Sequence, residues 1–99
     1  MTIGINKEGE KLTVSPEGRI DAVTATEFSK SIDDNIAGVK ELVFDFAKLD
    51  YISSAGLRVL LTSQKNMSKS GGSMKLIHVA DVIMDVFNIT GFADILTIE

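Results

Sequence analysis

The stretch Asp45-Phe46-Ala47-Lys48-Leu49-Asp50-Tyr51-Ile52-Ser53-Ser54-Ala55-Gly56-Leu57-Arg58-Val59-Leu60-Leu61 decides how the chain is read. It runs from the end of a buried strand through a short polar crossing into a helix that opens on two adjacent serines. Just upstream, Leu42, Phe44 and Phe46 alternate with Val43 and Asp45, the two-residue period of a strand. Val43 makes the second face partly apolar, as expected of an inner strand covered on both sides. Downstream, Leu57, Leu60 and Leu61 fall at i, i+3 and i+4, and Met67 extends the stripe, giving one apolar face of an amphipathic helix. Ser53 is the expected cap, because its hydroxyl can accept from the amide of Ala55 or Gly56, donors that no helical carbonyl reaches. Ser54 then becomes the first helical residue. Its hydroxyl sits at the positive end of the helix dipole and is exposed, since the leucine stripe faces the sheet. A phosphate there would be well received by the free amides. Gly56, a poor helix former, would leave room for another molecule's backbone beside Ser54. Serines also open many helices as caps alone, so the pair by itself assigns no function.

The totals narrow the classes. Ninety-nine residues are expected to form one domain over 1–99. Forty-four per cent hydrophobic and 24% charged residues are ordinary for a soluble globular protein. A net charge of −4, with Lys and Arg scattered singly, lacks the footprint of direct nucleic-acid binding. With no cysteine there is no disulfide framework and no thiolate metal or redox site. Met1-Thr2-Ile3-Gly4-Ile5-Asn6 lacks a basic region followed by an apolar run, and no apolar segment approaches membrane-spanning length, so the absence of a signal peptide and a cytoplasmic monomer without membrane insertion are the expectation.

Outward from the central stretch, Ile3, Ile5, Leu12 and Val14 alternate around the turn Glu8-Gly9-Glu10 and predict a hairpin. Ser15-Pro16-Glu17-Gly18 fits either a type I turn or the end of the second strand. Thr24 and Glu27 predict a capping box, Val23 and Phe28 a hydrophobic staple, and Phe28, Ile32 and Ile36 the buried stripe of a helix that Gly38 ends. Asp21 lies in the loop before it. Gly71-Gly72 are expected to stop the serine-led helix, and Met74, Leu76, Ile77 and Val79 predict a strand. Asp81 is the expected cap of a short helix carrying Ile83, Val86 and Phe87, which Gly91 and Phe92 terminate. Ile95, Leu96 and Ile98 predict a last short strand. The alternation implies an α/β fold: a mixed, mostly parallel sheet of about four to five strands, with an N-terminal antiparallel hairpin strand and helices packed on the sheet. Sites in such sheets lie at the carboxyl ends of strands, which brings Asp21 and the Ser53-Ser54 helix start to one edge.

Catalytic machinery is sparse. A serine nucleophile needs a base, and the one histidine, His78, reads as a partly buried strand residue. Ile52-Ser53-Ser54-Ala55-Gly56 is not a nucleophile elbow, and neither a phosphate-binding loop nor a dinucleotide fingerprint is present. Asp45 lacks the companion acids of a phospho-accepting aspartate, and Asp50 reads as a loop residue in solvent. A binding or switching protein, with no cofactor and no metal, is favoured over an enzyme using Ser54.

Leu49-Asp50-Tyr51-Ile52-Ser53-Ser54-Ala55-Gly56-Leu57-Arg58-Val59-Leu60 resembles the signature of the STAS domain, shared by bacterial anti-sigma factor antagonists and sulfate transporter tails. Gly18-Arg19-Ile20-Asp21, Gly71-Gly72 and Val86-Phe87-Asn88-Ile89-Thr90-Gly91-Phe92 are similar to further family motifs in the same order, so the likeness covers nearly the whole chain. The resemblance implies a phosphorylation switch. The family's central motif is commonly Asp-Ser-[Ser/Thr]-Gly-Leu. Matching Gly56-Leu57 to its Gly-Leu puts Ser54 at the phosphoacceptor, Ala55 at the second hydroxyl position, and Ser53 where the family has an acid. Asp21 matches the loop aspartate near a kinase-bound nucleotide, and Gly56 and Arg58 join Asp21, Ser53 and Ser54 as positions expected to meet the partner. The implied partners are an anti-sigma factor that is also a serine kinase, and a PP2C-type phosphatase that resets the switch. The alternative is a STAS scaffold or transporter-associated module that never switches.

Overall fold

A computed structural model describes residues 1–99. The alternating apolar positions form β1 (Thr2–Glu8), β2 (Lys11–Ile20), β3 (Glu41–Asp45) and β5 (Ser73–Ile77), with a further strand, β4 (Leu49–Ile52), between β3 and the serine-led helix. The helices are α1 (Thr24–Asp33), α2 (Ser54–Lys69) and α3 (Asp81–Thr90), followed by a single 3-10 turn, Phe92–Asp94. The five-stranded sheet runs β1-β2-β3-β5, with β4 also on β2. Only β1 is antiparallel to its neighbour. The expected mixed, mostly parallel sheet is therefore observed.

β2 organises the sheet. At ten residues it is long enough for two successive parallel partners on the same side. Lys11–Val14 pairs with Glu41–Phe44 of β3, and Gly18–Ile20 pairs with Leu49–Ile52 of β4, with a register shift between Gly18 and Arg19. Ser15-Pro16-Glu17-Gly18 is thus strand, not turn, and Pro16 lies opposite Ile3 of β1. The expected polar crossing shrinks to Phe46–Lys48. β4 escaped the period-2 reading because its burial runs buried, exposed, exposed, buried.

One core lies on one face of the sheet. Leu12 and Val14 of β2, Leu42 and Phe44 of β3, and Met74 and Leu76 of β5 pack with residues of all three helices, among them Phe28, Ile32, Leu60, Met67, Ile83 and Phe87. Phe44 stands between Phe28 and Phe46, with ring centroids 5.5 and 6.0 Å away. Pleating turns Thr13, Val43 and Lys75, which share a register row, to the opposite face. Val43 is buried, as expected of an inner strand covered on both sides, although it lies outside the core cluster that the three helices share.

Several predicted ends shift. α1 stops at Asp33, five residues before Gly38, because the Asn35 side-chain amide donates to Ser31 O (2.7 Å) and closes the last turn; Ile36 follows outside the helix, half-buried. Val23 is 77% exposed, so it does not staple to Phe28. Asp81 is the first residue of α3 rather than its cap; Ala80 holds the cap position, and the Asp81 carboxylate instead favours the helix dipole. Gly91 ends α3 as expected, at φ +83°. The predicted last strand contracts to one parallel bridge, Leu76 to Ile98. No helix is long and apolar enough to cross a membrane.

Candidate functional site

The site grows from the paired ends of β2 and β4. The last carbonyl of β2, Ile20 O, accepts from Ser53 N (2.8 Å), so the residue after each strand is pinned to the other. Asp21 and the Ser53-Ser54 step therefore share one edge, as expected.

Asp21 is a cap. Its Oδ1 accepts from the amides of Val23 and Thr24 (both 2.9 Å), while Asp21 N donates back to Thr24 Oγ1 (2.9 Å). The Thr24 hydroxyl in turn donates to Arg19 O (2.8 Å). This reciprocal box sits one turn before the predicted one. Thr24 serves as its far member, not its start, and Glu27 instead meets the N-terminal amine at 3.3 Å. The Thr24 amide foremost, then the Val23 amide, the Thr24 hydroxyl and the Arg19 charge, hold the Asp21 carboxyl below the usual carboxylate range despite some loss of hydration.

Ser53 caps α2 in extended conformation (φ −91°, ψ 174°), its Oγ accepting from Gly56 N at 3.4 Å. Ser54 is the first residue of α2 and is exposed; no side-chain hydrogen bond within the protein engages its hydroxyl. The amides of the first turn have no intrahelical carbonyl, so donors and dipole converge beside that hydroxyl. Arg58 is exposed one turn later, at the i+4 spacing that shares a helix face with Ser54.

Gly56 corrects the sequence reading. It is buried and turned to the sheet: a Cβ there would lie 2.7 Å from both Ile20 Cγ2 and Ile52 Cγ1. The missing side chain seats α2 on β2 and β4 and opens no outer surface, so Gly56 is not a partner contact. Gly56→Ala is expected to lower stability by about 1–2 kcal/mol, because overpacking outweighs the gain in helix propensity. Urea denaturation measures it, and a stabilised variant would contradict this seating.

Two further features flank the edge. The Arg19 guanidinium lies 4.3 Å from the centroid of the Tyr51 ring, across the β2–β4 pair. Nothing in the sequence revealed this pair, because β4 itself was not anticipated. On the β3–β5 side, Asp45 Oδ1 meets His78 Nδ1 at 2.9 Å and accepts from Ala47 N at 3.1 Å. His78 lies just past β5, with its side chain 63% exposed and φ at +57°, so it is a loop residue rather than the partly buried strand residue expected. Burial raises the Asp45 carboxyl, but the His78 hydrogen bond, the Ala47 amide and the charges of His78 and Lys48 outweigh it and leave the group lowered. A lowered folded-state value contributes stability above the unfolded carboxylate pKa and loses it as pH falls through the folded one. The wild type should therefore exceed Asp45→Asn by no more than about 1 kcal/mol near pH 6, and the difference should shrink as the pH falls below the ordinary carboxylate range and through the lowered folded-state value. Denaturation midpoints across that range check this, and a gap that widens in acid would refute it. No group of three or more His, Cys, Asp or Glu is placed to hold a metal, and Asp50 is exposed as expected.

Residues 3–99 match the family model of the STAS domain. The chain belongs to the STAS domain family. It is 30% identical over 96 residues to Bordetella bronchiseptica BtrV, which bears the name of an anti-sigma factor antagonist, with 96% of this chain and 83% of that one covered. It is 26% identical over 99 residues to the anti-sigma-B factor antagonist of Bacillus subtilis, covering 100% of this STAS protein and 91% of the relative. Among solved structures, the Bacillus cell fate determinant SpoIIAA in its phosphorylated form shares the fold at a TM-score of 0.77 and 16% identity, over 99% of this chain and 91% of that one. SpoIIAA in its unphosphorylated form gives 0.78 at 15% identity, over 99% and 87%.

Proposed function

We propose that this STAS protein is an anti-sigma factor antagonist that works by partner switching, with Ser54 as the switch. The observation that carries the reading is the exposed, unengaged Ser54 hydroxyl at the first position of α2, beside the Asp21 cap on one strand edge. The names of the relatives support the class of partner.

Dephosphorylated, the protein binds an anti-sigma factor through Asp21, Ser53, Ser54 and Arg58, and the sigma factor is released. The anti-sigma factor is also a serine kinase. Ser54 Oγ attacks the γ-phosphorus of ATP, the bond to the β-phosphate oxygen breaks, the hydroxyl proton leaves to solvent, and ADP departs. A PP2C-type phosphatase hydrolyses the ester and restores the binding form. The asymmetry is physical. The dianion changes the net charge from −4 to about −6. Within the protein the free amides and dipole of α2 receive it, and Arg58 stands at the i+4 position. At an interface the same charge must be desolvated or opposed. One ester can thus leave the fold intact and abolish the complex.

Ser53 replaces the family's acid and adds a second hydroxyl, but it is half-buried and its oxygen is occupied by Gly56 N. Incubation with the cognate anti-sigma kinase and ATP, followed by mass spectrometry, is expected to add one phosphate, mapped to Ser54, and none to Ser54→Ala. Equal labelling of the two proteins would overturn the acceptor assignment.

A further inference from the structure

Helices α1 and α2 lie side by side on the sheet but do not close against each other. Where they face, the short side chains of Ser29, Ala55 and Ser63 line a groove of about 260 Å³ between the helices, with Leu42 and Met67 also among its lining. Ser63 is 6% exposed. Helical hydroxyls often bond back to their own turn, as Ser31 does to Phe28 O (2.7 Å) and Thr90 to Val86 O (2.8 Å). The Ser63 hydroxyl has no such partner and lines the groove. Its oxygen stays open to solvent along the groove, free to bond a ligand atom or water. The groove also carries one charge of each sign on opposite walls, Asp33 from α1 and Arg58 from α2, and neither belongs to an ion pair. An apolar seat with a few converging polar groups is the usual build of a small-molecule site.

We infer that the groove binds a small zwitterion with an apolar tail, the chemistry of an aliphatic or aromatic α-amino acid. Arg58 receives the carboxylate, the Ser63 hydroxyl donates to one of its oxygens, Asp33 receives the ammonium, and the tail lies on Leu42 and Met67. Neither charge alone suffices for this arrangement, which separates it from adventitious apolar binding. The inference does not rest on the Ser54 switch, although Arg58 belongs to both sites, and its test needs the unphosphorylated protein alone.

The experiment is a titration of the nitrogen-labelled protein with L-leucine and L-phenylalanine, followed by amide NMR at neutral pH. Saturable shifts are expected along the groove, at Ser29, Ile36, Ser63 and Asn66. Isocaproate, which lacks the ammonium, and isoamylamine, which lacks the carboxylate, should bind about tenfold weaker or worse, the loss of one charge-assisted contact. Ser63→Leu fills the groove and should abolish the shifts while the protein stays folded by circular dichroism. Should that variant not fold, Asp33→Asn at the surface decides: it should weaken leucine about tenfold and leave isocaproate unchanged. No saturable shift from either amino acid by about 10 mM, analogues that bind as well as the amino acids, or binding that survives a folded Ser63→Leu would each overturn the proposal.

Discussion

Ser54→Glu is expected to lower affinity for the anti-sigma partner by about a hundredfold or more, while Ser54→Ala binds as tightly as the unphosphorylated protein. The size follows from where the charge lands. Residue 54 projects from the first turn of α2, exposed and free of internal bonds, at the edge shared with Asp21. A carboxylate there lies in the favourable field of the helix start, so the fold should gain on the order of 0.3–1 kcal/mol rather than lose. The complex faces the opposite balance. Desolvating an unmatched anion at an interface centre costs several kcal/mol, and about 1.4 kcal/mol is tenfold in affinity. Calorimetry or surface-based binding of the three proteins measures the effect, with thermal unfolding in parallel. A Ser54→Glu protein that binds normally would remove the switch. One that unfolds would remove the claim that fold and complex respond oppositely.

Phe44→Ala is expected to destabilise the protein by about 3–5 kcal/mol, lowering Tm by roughly 20 °C. Phe44 is fully buried on the central strand β3, with Phe28 of α1 on one side and Phe46 on the other. It belongs to the one core beneath all three helices, so little nearby can collapse into the space it leaves. For a chain this size, total stability is about 5–15 kcal/mol, so the loss removes a large share of it. Urea denaturation followed by circular dichroism reads the change. A loss below about 1 kcal/mol would mean that the aromatic row is not packed as described.

The parts legible from sequence were those with a strong period. Leu42, Phe44 and Phe46 announced β3, Leu57, Leu60 and Met67 announced α2, and Ser53 announced its own cap. The site's edge followed from chain order alone, because parallel strands must end together. What escaped were features settled by pairing rather than pattern. β4 has buried residues only at its two ends, so no alternation marked it; a register shift in β2 creates its place. Asp21 and Thr24 carried the signal of a cap three residues apart, but it competed with a better-known spelling one turn later, Thr24 and Glu27. Gly56 was misjudged from its propensity, although its spacing of four from Leu60 and eleven from Met67 already put it on the buried stripe. The Asp45–His78 contact joins residues 33 apart in sequence and left no local trace.

The uninterrupted run of β2 from Lys11 to Ile20 has one more consequence. Because Ile20 both leads into Asp21 and holds Ser53 N through its carbonyl, the two halves of the partner edge ride on one rod. Chain added between Asp34 and Lys40, far down that rod, should leave their spacing untouched. A single residue added among Phe46, Ala47 and Lys48 would slide Leu49–Ile52 by one step, turn Ile52 outward and carry the serine tip out of line with its neighbour. Length variation among natural and engineered versions of this protein should therefore be generous in the first segment and nearly forbidden in the second.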